Sequence, residues 1–126
     1  MTLTKTILAS LLCACAMAQS NPATPVLACN MKAIGSTERI RYNVLLQQIK
    51  TAVKQQRELA DGYAWEVDGK TISLPEAAEW VAMERRCCPF LTLQLEATGN
   101  EANYWINLKG PAGVKAFLAA EFKIAR

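Results

Sequence analysis

Apolar residues recur every three to four positions between residues 37 and 58, which predicts one long amphipathic helix. Ser36 or Thr37 is the expected N-cap, because a hydroxyl accepts a hydrogen bond from the free N–H groups of the first turn. The opposite face is polar, so we expect the apolar face to pack into the domain's own core rather than against a partner helix. The expected core-facing residues are Ile40, Val44, Leu45, Ile49, Ala52 and Val53.

Two further helices are predicted from their start and stop signals. Ser73 and Glu76 form a capping box at the start of a helix over residues 74–88. Pro89 ends this helix, since the residue before a proline avoids the helical conformation. Gly110-Pro111 opens the last helix, whose expected buried residues are Val114, Phe117, Leu118 and Phe122.

Alternating apolar and polar residues predict three strands, over residues 63–67, 91–96 and 104–109. Asp61-Gly62 marks a turn before the first of them. The order of elements is therefore α-β-α-β-β-α. We expect a two-layer α+β fold with a three-stranded, antiparallel-type sheet and helices packed on one face, similar to a ferredoxin-like unit without its last strand.

The start of the chain has the character of an export signal. Lys5 precedes an apolar run that is too short to span a bilayer, and Ala16-Met17-Ala18 fits a signal-peptidase site. We therefore expect a signal peptide over 1–18, a tether and lead-in segment over 19–35, and a single α+β domain over 36–126. The mature protein is then periplasmic or secreted, without a transmembrane span. A lipobox reading of Leu12-Cys13-Ala14-Cys15 leaves a lipoprotein anchored through Cys15 as the alternative.

Charge and composition exclude several classes of function. The net charge of the 126 residues is only +3 and the basic residues are scattered, which argues against a nucleic-acid partner. The chain contains no histidine, so Ser-His-Asp triads and Cys-His nucleophiles are excluded. Any metal site must be built from cysteine, methionine, carboxylates or backbone.

Three cysteines remain after the expected signal: Cys29 and the adjacent pair Cys87 and Cys88. A disulfide from Cys29 to Cys87 or Cys88 is one possible state, because exported proteins use such cross-links. The other is a site in which all three thiolates bind one metal ion, supported by Glu84 one helical turn before the pair. Glu84 could equally be a surface carboxylate paired with Arg85 or a lysine.

Thiolate donors without imidazole favour thiophilic ions, namely Hg(II), Cu(I), Cd(II), Zn(II) or As(III). Met31 and Met83 are more often core residues than ligands, and Arg85 and Arg86 are expected on a solvated face. The sequence predicts metal ligands at Cys29, Cys87, Cys88 and Glu84, and it identifies neither the ion nor a protein partner.

The string Glu84-Arg85-Arg86-Cys87-Cys88-Pro89-Phe90, with Ala28-Cys29 upstream and the passage over 108–117 downstream, resembles a small bacterial family without an established activity. It is similar to a domain appended to the C-terminus of some MerR-type regulators. That association implies metal handling. An export signal would move the role from sensing metals toward scavenging or carrying them.

Three functions follow in order of preference. The first is an exported accessory protein for binding, or resistance to, a soft metal. The second is a disulfide-stabilised domain that binds an unknown partner. The third is an enzyme that uses thiols and a carboxylate, such as one that cleaves a carbon–mercury bond; a thiol-disulfide exchanger is less expected, because Cys-x-x-Cys is absent.

Overall fold

In the computed structural model, which describes residues 27–124, three α-helices accompany one four-stranded antiparallel sheet. The expected signal peptide and most of the tether lie outside the described residues. The elements, in chain order, are a 3-10 helix at Met31–Ala33, α1 at Ser36–Ala52, β1 at Val53–Leu59, β2 at Gly62–Val67, α2 at Leu74–Cys87, β3 at Thr92–Ala97, β4 at Tyr104–Lys109 and α3 at Val114–Phe122.

The α+β class is confirmed, and the sheet has four strands rather than the predicted three. The strand order is β1-β2-β4-β3, so β4 lies between β2 and β3, and all three pairings are antiparallel. The additional strand is β1. Residues 53–58 were expected to complete the first helix, and they form an edge strand instead.

The helix ends at Ala52 because the chain turns into extended backbone at Val53, whose N–H still bonds to the carbonyl of Ile49. The following residues pair with β2, which places Gln56 opposite Trp65. The indole N–H of Trp65 donates a hydrogen bond of 2.9 Å to the amide oxygen of Gln56. A sheet partner therefore supplies hydrogen bonds for a polar segment whose composition alone is compatible with a helix.

The buried face of α1 differs from the expected stripe at two positions. Ile40 is 69 % exposed and Val44 is 47 % exposed, whereas Tyr42 is buried with Leu45 and Ile49. Phe122 of α3 lies edge to face against two tryptophans of the core, Trp65 and Trp80. The core therefore fills the space between the helices and one face of the sheet.

Helix α2 begins at the predicted capping box, in which the backbone N–H of Ser73 bonds to the Glu76 carboxylate. Its outer surface is tied to α1 by Arg41, which donates hydrogen bonds of 2.9 and 2.7 Å to Glu79.

Within residues 27–124, no helix combines the length and apolar character that crossing a bilayer requires.

Candidate functional site

The two adjacent cysteines differ in backbone conformation at the end of α2, just before Pro89. Cys87 is the last helical residue, and Cys88 is the C-cap with φ −122° and ψ 70°. The N–H of Cys88 still bonds to the carbonyl of Glu84 at 2.8 Å. The backbone therefore leaves the helix at Cys88, and the two cysteine side chains take separate directions.

The lead-in segment, residues 27–35, brings Cys29 to this helix end. The N–H of Asn30 donates a hydrogen bond of 2.8 Å to the carbonyl of Cys87. Cys29 and Cys88 form a disulfide with their Cα atoms 4.5 Å apart and a sequence separation of 59. One of the two bridges that the sequence allowed is thus present in the structure.

Two arginines hold the lead-in segment in place. Arg86 donates hydrogen bonds of 2.7 Å to the Glu38 carboxylate and 3.0 Å to the carbonyl of Ala33. Arg39 bonds to the carbonyl of Ile34 at 2.9 Å. Arg86 is exposed, as expected, and it also joins α2 to the segment that carries Cys29.

Glu84 is completely buried, so of the two alternatives for this residue the one of a surface carboxylate paired with a neighbouring cation is wrong. Its Oε2 accepts a hydrogen bond of 2.6 Å from the Tyr42 hydroxyl. Its Oε1 has no hydrogen-bond partner among the described residues. A buried carboxyl oxygen without a partner is costly, and such atoms in native proteins call for an explanation.

Burial raises the pKa of Glu84 from its ordinary value to about 7, with a smaller upward contribution from the charge of Glu121, although the Tyr42 hydrogen bond lowers it. Burial, followed by the charge of Glu84, raises the pKa of Tyr42 as well. The same two causes raise the pKa of Cys87. Protonation of Glu84 near neutral pH therefore avoids the free-energy cost of burying a negative charge.

The structure brings together three of the four predicted ligands. The two sulfurs of Cys29 and Cys88 and one carboxylate oxygen of Glu84 all lie within 4.8 Å of one another. In the disulfide form the sulfurs bond to each other and are not thiolate donors, so the set suits a soft ion only after reduction.

Cys87 lies outside this group of three and is a free, buried thiol. Met83 is buried in the core and Met31 packs against it, in keeping with their expected role as core residues.

Sequence reasoning missed Tyr42, the hydrogen-bonding partner of Glu84. A signal for it exists, because Tyr42, Leu45 and Ile49 fall at helical spacing and share one buried face. The expected stripe contained Ile40 and Val44, which are exposed, in place of Tyr42, which is buried.

No family model matches the chain, and no curated protein or solved structure matches it. The resemblance to the bacterial family with the Glu-x-x-Cys-Cys-Pro-Phe string therefore stays a prediction, and the function must be argued from the geometry of the site.

Proposed function

We propose that the reduced protein binds a thiophilic metal ion through Cys29, Cys88 and Glu84. The observation that carries this proposal is the convergence of two sulfurs and a buried carboxylate oxygen within 4.8 Å, from parts of the chain that are far apart in sequence. Reduction of the disulfide converts its two sulfurs into thiols, which become strong soft-metal ligands once deprotonated.

The two sulfurs must separate before an ion can enter. Zn(II) binds thiolates at about 2.3 Å, so two sulfurs on a tetrahedral ion are roughly 3.8 Å apart. The two sulfurs are bonded to each other in the disulfide, so the cysteine side chains have to rotate apart after reduction. The Glu84 carboxylate oxygen already lies within 4.8 Å of both sulfurs.

The state of Glu84 supports the same proposal. Its Oε1 is buried and has no hydrogen-bond partner within residues 27–124, and a cation between the sulfurs would give this oxygen a favourable neighbour. With no histidine in the chain, the donor set contains only sulfur and oxygen, which favours Hg(II), Cu(I), Cd(II), Zn(II) or As(III). Cys87, which is adjacent and buried, is a further donor only if the end of α2 rearranges.

A Cd(II) titration of the fully reduced protein without oxygen tests the proposal, with the thiolate-to-cadmium absorption in the ultraviolet as the readout. We expect the reduced protein to show the band and the disulfide form to lack it. Cys29→Ser and Cys88→Ser should each weaken binding strongly, and Glu84→Gln should weaken it less.

Cys87→Ser is the matched control, because it removes a thiol outside the group of three. Equal binding by wild type and the Cys29→Ser/Cys88→Ser double variant would refute the site. Loss of binding in Cys87→Ser alone would move the site to the adjacent pair.

The disulfide itself favours a second candidate, a domain in which the Cys29–Cys88 bridge only stabilises the fold. This candidate predicts that no Cd(II) band appears at any redox state and that reduction lowers stability without changing any binding property.

A further inference from the structure

The two halves of the disulfide are unequally accessible. Cys88 is 1 % exposed, whereas Cys29 is half-buried and lies between two exposed residues, Ala28 and Asn30. Thiol–disulfide exchange proceeds by attack of a thiolate on one of the two sulfurs, and access decides which sulfur is attacked. Of the two bridged residues, Cys29 is therefore the one with surface open to solvent, and we expect attack from solvent at its sulfur.

We propose that Cys29 is a site of thiol exchange, at which an external thiol forms a mixed disulfide with this protein and releases Cys88. The ligand class is a thiol, carried by a small molecule or by another protein. This inference holds whether or not the reduced site binds a metal ion.

The step balances as an ordinary exchange. The external thiol loses its proton to water, and its thiolate forms a bond to the Cys29 sulfur. The Cys29–Cys88 bond breaks, its electron pair stays on the Cys88 sulfur, and that sulfur takes up a proton from water. A second external thiolate then attacks the outer sulfur of the mixed disulfide, so Cys29 is released as a thiol and the external thiols end as their own disulfide.

The buried carboxyl group of Glu84 fits the product of this step. In the oxidised protein no residue of the described part of the chain donates to its Oε1, and neither sulfur carries a hydrogen. Release of Cys88 creates an S–H donor in the group of atoms that lies within 4.8 Å, and the free side chain can rotate toward the carboxyl oxygen. Reduction thus supplies a hydrogen bond that the disulfide form lacks.

Cys87 is a buried thiol beside the bridge, at the last helical position. Its attack on Cys88 would close a strained ring across one peptide bond. Its attack on Cys29 would form a Cys29–Cys87 bridge, which carries no external thiol and is therefore distinguished by mass from the mixed disulfide.

The decisive measurement is where the mixed disulfide forms on the wild-type protein. The oxidised protein is treated with limiting glutathione, quenched with acid, alkylated and digested with trypsin, which separates the two cysteines by cleaving after Lys32 and Arg86. We expect the glutathione adduct on the peptide ending at Lys32 and the alkyl group on Cys88. Adducts that are equal on both cysteines, or mainly on Cys88, would overturn the proposal.

A parallel arm uses a small dithiol-containing protein whose second cysteine is replaced, so that the mixed disulfide is trapped. Adducts at Cys29 with glutathione alone identify small thiols as the partner class, and adducts in both arms extend it to proteins. Failure of both arms while a strong dithiol reductant opens the bridge would also overturn the proposal.

The rates at which a maleimide labels Cys29 and Cys88 test their difference in accessibility without a disulfide between them. In a Cys87→Ser background, Cys88→Ser leaves Cys29 as the one thiol of residues 27–124, and Cys29→Ser leaves Cys88 there. We expect a maleimide to label Cys29 about an order of magnitude faster, because the thiols differ in access. Equal rates in folded variants, verified by circular dichroism, would contradict the asymmetry. Since no metal is present in any arm, these results are independent of the Cd(II) titration.

Discussion

The phenol of Tyr42 donates a hydrogen bond of 2.6 Å to the carboxyl group of Glu84, which joins the middle of α1 to the end of α2 inside the core. The ring of Tyr42 stacks on Trp80, with their centroids 6.3 Å apart, and this contact fixes the direction of the hydroxyl. One carboxyl oxygen is thereby satisfied and the other is left for the sulfurs. Glu84 therefore takes part both in a hydrogen bond of the core and in the group of atoms that contains the two bridged sulfurs.

The stability of the oxidised, metal-free protein should fall as the pH rises from about 4.5 to about 7. Burial raises the pKa of Glu84 from 4.5 to about 7, so the folded protein keeps a proton in this range that the unfolded chain has released. The stabilisation is complete below the unfolded pKa and is lost as the pH passes the folded one. The loss is on the order of 3 kcal/mol.

Urea unfolding at a series of pH values measures this slope, and Glu84→Gln should be nearly flat over the same range. The carboxylates with lowered pKa values, Glu38, Asp68, Glu76 and Glu79, lose their contributions only in more acidic solution. A wild-type profile as flat as that of the variant would show that Glu84 is not the titrating group.

Tyr42→Phe should destabilise the domain by about 1–3 kcal/mol at neutral pH, because Oε2 of Glu84 then also loses its partner. The hydrogen bond from Tyr42 lowers the pKa of Glu84, so its removal should shift the midpoint of the pH–stability profile upward. Tyr104→Phe is the matched control, since that hydroxyl bonds to the carbonyl of Ile72 at 3.0 Å. The control should lose stability with an unchanged midpoint, and an equal shift in both variants would contradict the assignment.

Replacement of both Cys29 and Cys88 by alanine should lower the free energy of unfolding by about 4 kcal/mol, because the bridge closes a loop of this length in the unfolded chain. The separation of the two cysteines is 59 residues. Cys87→Ala removes a buried thiol without a bridge and should cost only about 1 kcal/mol. Denaturation with and without reductant provides the comparison, and a double variant no less stable than Cys87→Ala would contradict a structural contribution from the bridge.

Arg86→Ala should accelerate reduction of the disulfide severalfold, because the lead-in segment loses its bonds to Glu38 and to the Ala33 carbonyl. Arg85→Ala is the control, being an exposed neighbour on the same turn of α2. The measurement is the rate of bridge opening by dithiothreitol, followed by mass after alkylation. Equal rates in the two variants would show that Arg86 does not hold the segment.

Much of the fold could be predicted from local signals. The capping box at Ser73 and Glu76 starts α2, Pro89 ends it, and the alternating residues of β2, β3 and β4 form strands within one or two residues of the expected bounds. These features depend on neighbours in sequence, which the pattern of residues contains directly.

The rest depends on contacts between distant residues. The segment Val53–Leu59 is polar and compatible with a helix, and it becomes a strand because β2 offers it an edge to pair with. The spacing of Glu84 from the cysteines is the same whether its side chain is exposed or buried. Its burial depends on the packing of α1, which places Tyr42 beside it. The sequence likewise indicated that Cys29 would meet the adjacent pair, whereas the choice of Cys88 comes from the backbone leaving the helix there.

The disulfide also determines which part of the domain would carry a pulling force. A pulling force applied between residues 27 and 124 would pass from Cys29 directly to Cys88, and the helix–strand–strand–helix segment between them would bear no tension. Only β3, β4 and α3 would extend, and once the bridge is reduced the whole chain would lengthen. Single-molecule stretching would therefore record the redox state of this protein as a change in its unfolding length.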